Sequence, residues 1–394
     1  MNKKRKKEEE KEKPAMRSLS QSASSTGVVL PQEVIYEILT RVPLKHLLSR
    51  CRLVCKGWRS LTYDSEFKLV HSQRTPTISG YLIQLSSRDE ELFHFVSFIH
   101  QSPLIPSPSL DFLPRHVEIL SSSSPHGLLC CVSYNLQTGY TFYLCKPATR
   151  EWLKIPSPKT KQYLTLQTAL VVKGCNPLHY KIIRFSTSPG YLVYHCEIFN
   201  SNYWEWKMLN DIIVCHDGEF KPYSFIGSAT DPGVLVHGAI HWLSYHGQIS
   251  ALDVNIDNGS WRIISPPIDD GKLNEKGFSV EKKLVECEGE IGLLYLALDE
   301  KWLELWVLEN YHLKDETRWN KIYRVDLKPV HLGLFGSGKK LLDLYTKHIV
   351  LMKIGDEIIW YDCKTGSRTV ALKVPDECSV LKVHQIHSDL VPFL

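Results

Sequence analysis

Four times this chain runs through a strand-like segment, breaks into a polar loop and returns on a tryptophan, one or two residues and then Leu or Ile: "YLCKPATREWLKIP", "CEIFNSNYWEWKML", "ALDVNIDNGSWRIISPP" and "LWVLENYHLKDETRWNKIY". The tryptophans are Trp152, Trp206, Trp261 and Trp319, spaced 54, 55 and 58 residues apart, and a fifth copy, "IWYDCKTGSRTVALKV", keeps the hairpin without the Trp. A unit of about 50 residues holding several strands cannot bury both faces by itself, so the repeat predicts propeller blades stacked on one another. Each tryptophan is then most simply a packing residue between blades. The intervening runs, among them "GLLCCVSY", "YKIIRF", "VLVHGAIHWL", "GLLYLAL" and "HIVLMKI", alternate with turn residues and leave no room for regular helices, so the chain reads as all-β from about Thr75. Asn258-Gly259 and Thr365-Gly366 fit tight hairpin turns.

The 394 residues, 43% of them hydrophobic, suffice to bury the cores of two or three domains. Residues 1–27 hold eight basic and four acidic side chains, and the rest of the chain balances to zero, so the whole formal charge of +4 belongs to this stretch. A neutral globular part gives no electrostatic reason to expect nucleic acid or an anionic membrane as partner. The beginning is charged and Ser-rich, which is neither a signal peptide nor an anchor, and the chain contains no run of about 18 apolar residues. Eleven unevenly spaced cysteines read as reduced thiols of an intracellular protein, nuclear and/or cytoplasmic; "KKRKK" could serve as a nuclear address or be only a solvated tail.

Between the tail and the β region lies a compact apolar helical stretch. Leu30-Pro31 opens a helix whose Val34, Ile35, Ile38, Leu39 and Val42 recur at helical spacing. Pro43 ends it and starts another with Leu44, Leu47, Leu48 and Cys51; a third carries Val54, Trp58 and Leu61, and Asp64 with Ser65 caps a last turn through Val70. The expected organisation is a disordered tail (1–27), a helical unit (28–72) and a propeller-like β unit (73–394). Four short helices over about 40 residues cannot enclose a large core, so some apolar side chains should stay exposed until a partner covers them. Five or six aliphatic side chains covered at ~1.5 to 3 kcal/mol each would give on the order of 10 kcal/mol gross, enough for a moderate to tight complex after translational freedom is lost.

Signals for catalysis or metal are poor. "GLFGSGKK" matches G-x-x-x-x-G-K through Gly333, Gly338 and Lys339, but Lys340 stands where a phosphate loop needs the magnesium-binding hydroxyl, and the flanks read as strands. His237 and His241 are four apart, yet in strands such residues lie ~13 Å apart, too far to share one ion. Cys51 and Cys55 lack a second ligand pair, and no hydrolase, metalloprotease or Cys/His signature is present. The expectation is no catalytic residue, no metal and no cofactor.

The stretch "LPQEVIYEILTRVPLKHLLSRCRLVCKGWRSLTYDSEF" resembles an F-box: Leu30, Pro31, Glu33, Ile38, Leu39, Val42, Pro43, Leu47, Leu48, Val54, Cys55, Lys56 and Trp58 occupy the positions of that family's pattern. The β region is similar to the F-box-associated domain of a large plant family, in "HGLLCC", "CKPATREWLKIP", "HYKIIRF", "VHGAIHWL", "LELWVLE" and the W-x-K-I-Y at Trp319, and the two resemblances cover about residues 28 to 375. This chain departs from the pattern at Lys146, where the family has Asn, in lacking the glycine-rich segment after Trp152, and in the irregular repeat around Cys363. The resemblance implies a substrate receptor of a Skp, cullin and F-box ubiquitin ligase: the F-box docks on the Skp-family adaptor, and through it on the cullin scaffold, while the β unit holds a target protein. It places the adaptor surface at Leu30, Pro31, Ile38, Leu39, Pro43, Leu47 and Leu48, with Val54 and Trp58 serving either that interface or internal packing. The rival readings are an adaptor-bound scaffold or inhibitor, and an enzyme built on the propeller, which would show titratable residues clustered at one mouth.

Overall fold

A computed structural model describes residues 30–394 except 76, 88–90, 99–107, 115, 136, 138, 176, 189–193, 210–231, 245–246, 256–259, 269–279, 298–301, 313–316, 328–338, 390–392 and 394. The expected tail, the Asn258-Gly259 turn and the glycines at 333–338 lie outside the described residues.

Four helices come first: α1 (Gln32–Leu39), α2 (Leu44–Ser49), α3 (Lys56–Leu61) and α4 (Ser65–Arg74), with a 3-10 turn at Cys51–Leu53. Pro31 and Pro43 are the N-cap residues of α1 and α2, where a missing N–H costs nothing. Asp64 caps α4 by accepting from Phe67 N at 2.7 Å. That helix runs a turn further than the sequence predicts, to Arg74.

The rest is strand. β1 (Thr77–Ser86) and β2 (Glu91–Val96) are followed by five antiparallel four-stranded sheets. These are β3 to β6 (Val117–Ser123, Leu128–Asn135, Gly139–Lys146, Glu151–Ile155), β7 to β10 (Leu164–Cys175, Leu178–Thr187, Tyr194–Asn200, Glu205–Met208) and β11 to β14 (Val234–Val236, Ala239–Leu243, Ile249–Asp253, Trp261–Ile264). Then come β15 to β18 (Val280–Cys287, Glu290–Ala297, Trp302–Glu309, Arg318–Asp326) and β19 to β22 (Lys339–Thr346, Ile349–Ile354, Glu357–Asp362, Arg368–Lys373). The last strand, β23 (Ser379–Asp389), returns to pair antiparallel with β1, from Thr77↔Asp389 to Ser86↔Ser379, giving a first blade ordered β2-β1-β23. The result is a propeller of six blades. The five units of the sequence repeat correspond to the five four-stranded blades.

Six apolar clusters fill the seams and close the ring. Phe142 and Leu144 of blade 2 pack on Ile182 and Phe199 of blade 3; Ile183 and Phe185 meet Ile240 and Trp242 of blade 4; Ile249 and Ala251 meet Leu293 and Tyr295 of blade 5. Leu303 and Leu305 meet Leu341 and Met352 of blade 6, Leu351 and Trp360 meet Tyr81 and Ile83 of blade 1, and Leu82 with Ile386 meets Leu129 and Cys131 of blade 2. Every sheet is apolar on both faces, which explains why its strands lack a clean alternation of apolar and polar residues.

The repeating tryptophans stitch these seams on the outer strands. Trp206 Nε1 donates to Pro156 O at 2.6 Å and Trp319 Nε1 to Ser265 O at 2.8 Å, both carbonyls lying just past the outer strand of the preceding blade. Trp261 packs on Phe185 of the preceding blade at 5.6 Å. Trp152 differs: it is half exposed and packs edge-on against Tyr143 of its own blade. Lys146, the departure from the family's Asn, is buried and holds Asp389 of β23 at 2.6 Å, so it ties blade 2 to the closing strand.

Candidate functional site

The four helices fill a small core of their own, in which Leu39, Leu47 and Phe67 are buried and Ile35, Tyr36, Val42, Cys51, Trp58 and Leu61 pack around them. Polar contacts fix the arrangement. Glu37 of α1 takes Arg41 on one side and Arg74 of α4, at 3.0 Å, on the other, and hydrogen bonds from these two arginines hold its carboxyl below the usual range. His71 is buried, which lowers its pKa; the neutral ring donates Nε2–H to Val42 O at 2.8 Å, locking the turn between α1 and α2 onto α4.

The apolar arc of α1 is too wide for that core. Ile35, Leu39 and Val42 point inward, whereas Val34 and Ile38 (47% exposed) lie one turn apart about 100° further round and face solvent, with Leu30 exposed just ahead of the Pro31 cap. Leu53 and Val54, 81% and 61% exposed, add to the open apolar surface after α2, and Pro31 and Pro43 are exposed as well. Of the residues expected at the adaptor surface, the structure therefore leaves Leu30, Pro31, Ile38, Pro43 and Val54 open and Leu48 partly so. It places Leu39 and Leu47 in the core beneath, 1% and 3% exposed, with Trp58 packed beside them. The expectation that Leu39 and Leu47 offer contact area is corrected: both are already covered by Phe67 and its neighbours. Val34 and Leu53, which the sequence reading did not place at that surface, are exposed beside it, and the i, i+4 spacing of Val34 and Ile38 already marked the former.

The helices sit over one mouth of the propeller and roof a cavity of about 930 Å³. Its walls bring together Lys68 and His71 from α4 with Lys283, Glu286, Asp343 and His387 from the inner strands. Lys68 Nζ lies 3.3 Å from Glu286. Burial raises the Asp343 carboxyl to about 6, against the pull of Lys283 and the Leu344 N–H. Burial, reinforced by His71, Lys68 and Arg52, lowers His387 to about 3. A titratable cluster at a mouth is what the enzyme reading anticipates, yet Glu286 is engaged by Lys68 and the Gly289 N–H, and Asp343 faces Lys283. Among the described residues no group of three His, Cys, Asp or Glu side chains could hold a metal ion.

His237 and His241 do not occupy one strand as their sequence context suggests. His237, at φ +53°, and Gly238, at φ +75°, form the tight turn between β11 and β12. His237 Nε2 meets Glu290 at 2.6 Å, while His241 Nε2 meets the Tyr311 hydroxyl at 2.8 Å. Cys51 and Cys55 are free thiols, the latter accepting from Trp58 N. No helix among the described residues is long and apolar enough to cross a membrane.

The molecule is thus a six-blade propeller bearing a small helical module whose own core is filled and whose aliphatic face is left outside. The F-box domain family pattern matches residues 29–69, the same helices. F-box protein At5g49610 of Arabidopsis thaliana is 28% identical over 313 residues, spanning 77% of this chain and 80% of its own. F-box protein At5g41720 of the same plant is 32% identical over 166 residues, 40% of this chain and 86% of the relative. The chain belongs to the F-box protein family. Among solved structures, TolB from Acinetobacter baumannii aligns with a TM-score of 0.42 at 11% identity, over 79% of this chain and 67% of that one, a likeness too slight to argue from.

Proposed function

We propose that this protein is the substrate receptor of a Skp, cullin and F-box ubiquitin ligase, acting in the nucleus and/or cytoplasm. Residues 28–72 form the F-box unit, which docks on the Skp-family adaptor and through it on the cullin scaffold. Residues 73–394 form an F-box-associated propeller that holds a target protein. The chain performs no chemistry of its own; it concentrates target lysines near the ubiquitin-charged enzyme. The observation that carries this reading is the open aliphatic face of Leu30, Val34, Ile38, Leu53 and Val54 over helices whose core is otherwise filled. Leu30, Pro31, Ile38, Pro43, Leu48 and Val54 contribute contact area, and Leu39, Leu47 and Trp58 hold that face in shape from beneath.

Co-purification with the adaptor tests it. Ile38→Ala and Val54→Ala each remove an exposed aliphatic side chain and should each weaken adaptor binding roughly tenfold, with the fold intact by circular dichroism. The combined variant at full adaptor affinity would defeat the assignment. Leu39→Ala should lower binding only in step with loss of helix, because it empties the core instead of the face.

A further inference from the structure

Only Thr75 and residue 76 separate α4 from β1, and the link is itself bonded: Thr77 N donates to Thr75 O at 2.7 Å and Thr75 Oγ1 to His71 O at 2.8 Å. With Thr75 and Thr77 so bonded, the helices leave the ring on a short lead. The helices also touch the ring at several points. α2 meets β7 and β23, and α4 meets β1 and β19, on blades 1, 3 and 6. On blade 5, Lys68 reaches Glu286, whose Oε1 also accepts from Gly289 N at 2.7 Å and so shapes the β15–β16 turn. Gly289 stands at φ +88°, and a Cβ there would lie 3.1 Å from the Tyr63 ring, so the missing side chain lets the F-box seat closely. The His71 and His387 rings lie side by side at 6.0 Å between α4 and β23.

We infer that the F-box is latched onto the propeller as a fixed cap, and that Tyr63, Lys68, Glu286 and Gly289 are positioning residues that set its angle. The inference rests on the reading of the helices as the adaptor-docking unit. It adds that a target held by the propeller meets the ligase at one preset geometry. The Lys68 and Glu286 side chains are each about a third exposed, so that pair alone is a weak clamp, and charge has to be tested together with packing.

The test is amide hydrogen exchange and small-angle scattering on the full-length chain. In Lys68→Glu with Tyr63→Ala, two carboxylates face each other and the ring against Gly289 is gone. Exchange in the β15–β16 turn and the α4–β1 link should rise ~tenfold or more and the radius of gyration should grow, while the propeller melts at its original temperature. Adding Glu286→Lys should recover only the charge part of that loss at the α4–β1 link, since the ring stays truncated and Gly289 N loses its acceptor. Unchanged exchange in the double variant overturns the latch. Should the helices of that variant unfold, Glu286→Gln with Gly289→Ala loosens the cap from the propeller side, dropping the charge while setting a Cβ against the Tyr63 ring, and full protection there overturns the proposal as well. Adaptor capture is scored separately: a wild-type protein with a protected interface that captures no adaptor sinks the docking reading and leaves the latch standing.

Discussion

Replacing Arg184 by Met is expected to destabilise the propeller by about 3 to 5 kcal/mol, the usual cost of leaving one partner of a buried ion pair alone. Arg184 and Glu197 are both fully buried on neighbouring strands of blade 3 and lie 2.8 Å apart. The guanidinium also donates to Thr160 Oγ1 at 2.6 Å, Thr165 Oγ1 at 2.9 Å and Tyr163 O at 2.7 Å, and Glu197 Oε1 accepts from Thr160 N at 3.2 Å. The pair therefore pins the whole connection from β6 to β7 at the mouth away from the F-box. Methionine fills the space beside Phe142 without a donor, leaving the fully buried Glu197 carboxylate without its counter-charge. Urea unfolding would read the loss. Arg184→Met combined with Glu197→Met should recover much of it, because no charge is then left buried. A single variant within about 1 kcal/mol of wild type would show that water reaches the site.

Acidification should act on the same ring. Burial lowers His241 to about 4 and His384 to about 3, the latter helped by Lys382 and Lys283, so both stay neutral in the folded chain well below the ordinary imidazole pKa of 6.5. Between those values the unfolded chain binds more protons, and stability must fall as pH falls. Each ring costs about 1.4 kcal/mol per pH unit below 6.5, so the two together remove about 5 kcal/mol by pH 4.5. Asp343 works in the opposite sense: with its folded pKa raised to about 6, it takes up a proton that the unfolded carboxyl does not, returning about 2 kcal/mol by pH 4.5. His126 and His387, less deeply buried and lowered to about 4 and about 3, add to the loss. The net expectation is a fall of about 3 kcal/mol or more between pH 6.5 and 4.5 and little change above pH 7. Unfolding midpoints across that range measure it. His241→Phe should flatten the slope by about half of the pair's share, and a midpoint indifferent to pH would mean that these rings are hydrated.

How much was legible differs between the two halves of the molecule. Helix starts depend on a residue and its immediate successors, so Pro31, Pro43 and Asp64 marked them correctly. The wide apolar arc of α1 was equally visible, but which stripe faced inward was not. Ile38 and Leu39 are adjacent and alike in chemistry, and only Phe67, 28 residues on, decides that Leu39 is the one covered. The blade repeat could be read because each unit carries its hairpin and tryptophan locally. His237 was misplaced because a turn at φ +53° is unusual for a residue with a side chain, and only the neighbouring Gly238 hinted at it.

The sequence by itself determined a helical unit ahead of stacked β units, the F-box pattern and the expectation of an exposed aliphatic face, since these arise from spacing within a few dozen residues. The tertiary structure alone decided that the ring closes at six, because its first blade joins Thr77–Ser86 to Ser379–Asp389 across some 300 residues and no local pattern records that pairing. It alone also decided where the F-box sits, since Lys68 finds Glu286 and Tyr63 finds Gly289 only after the chain has passed four blades and entered the fifth.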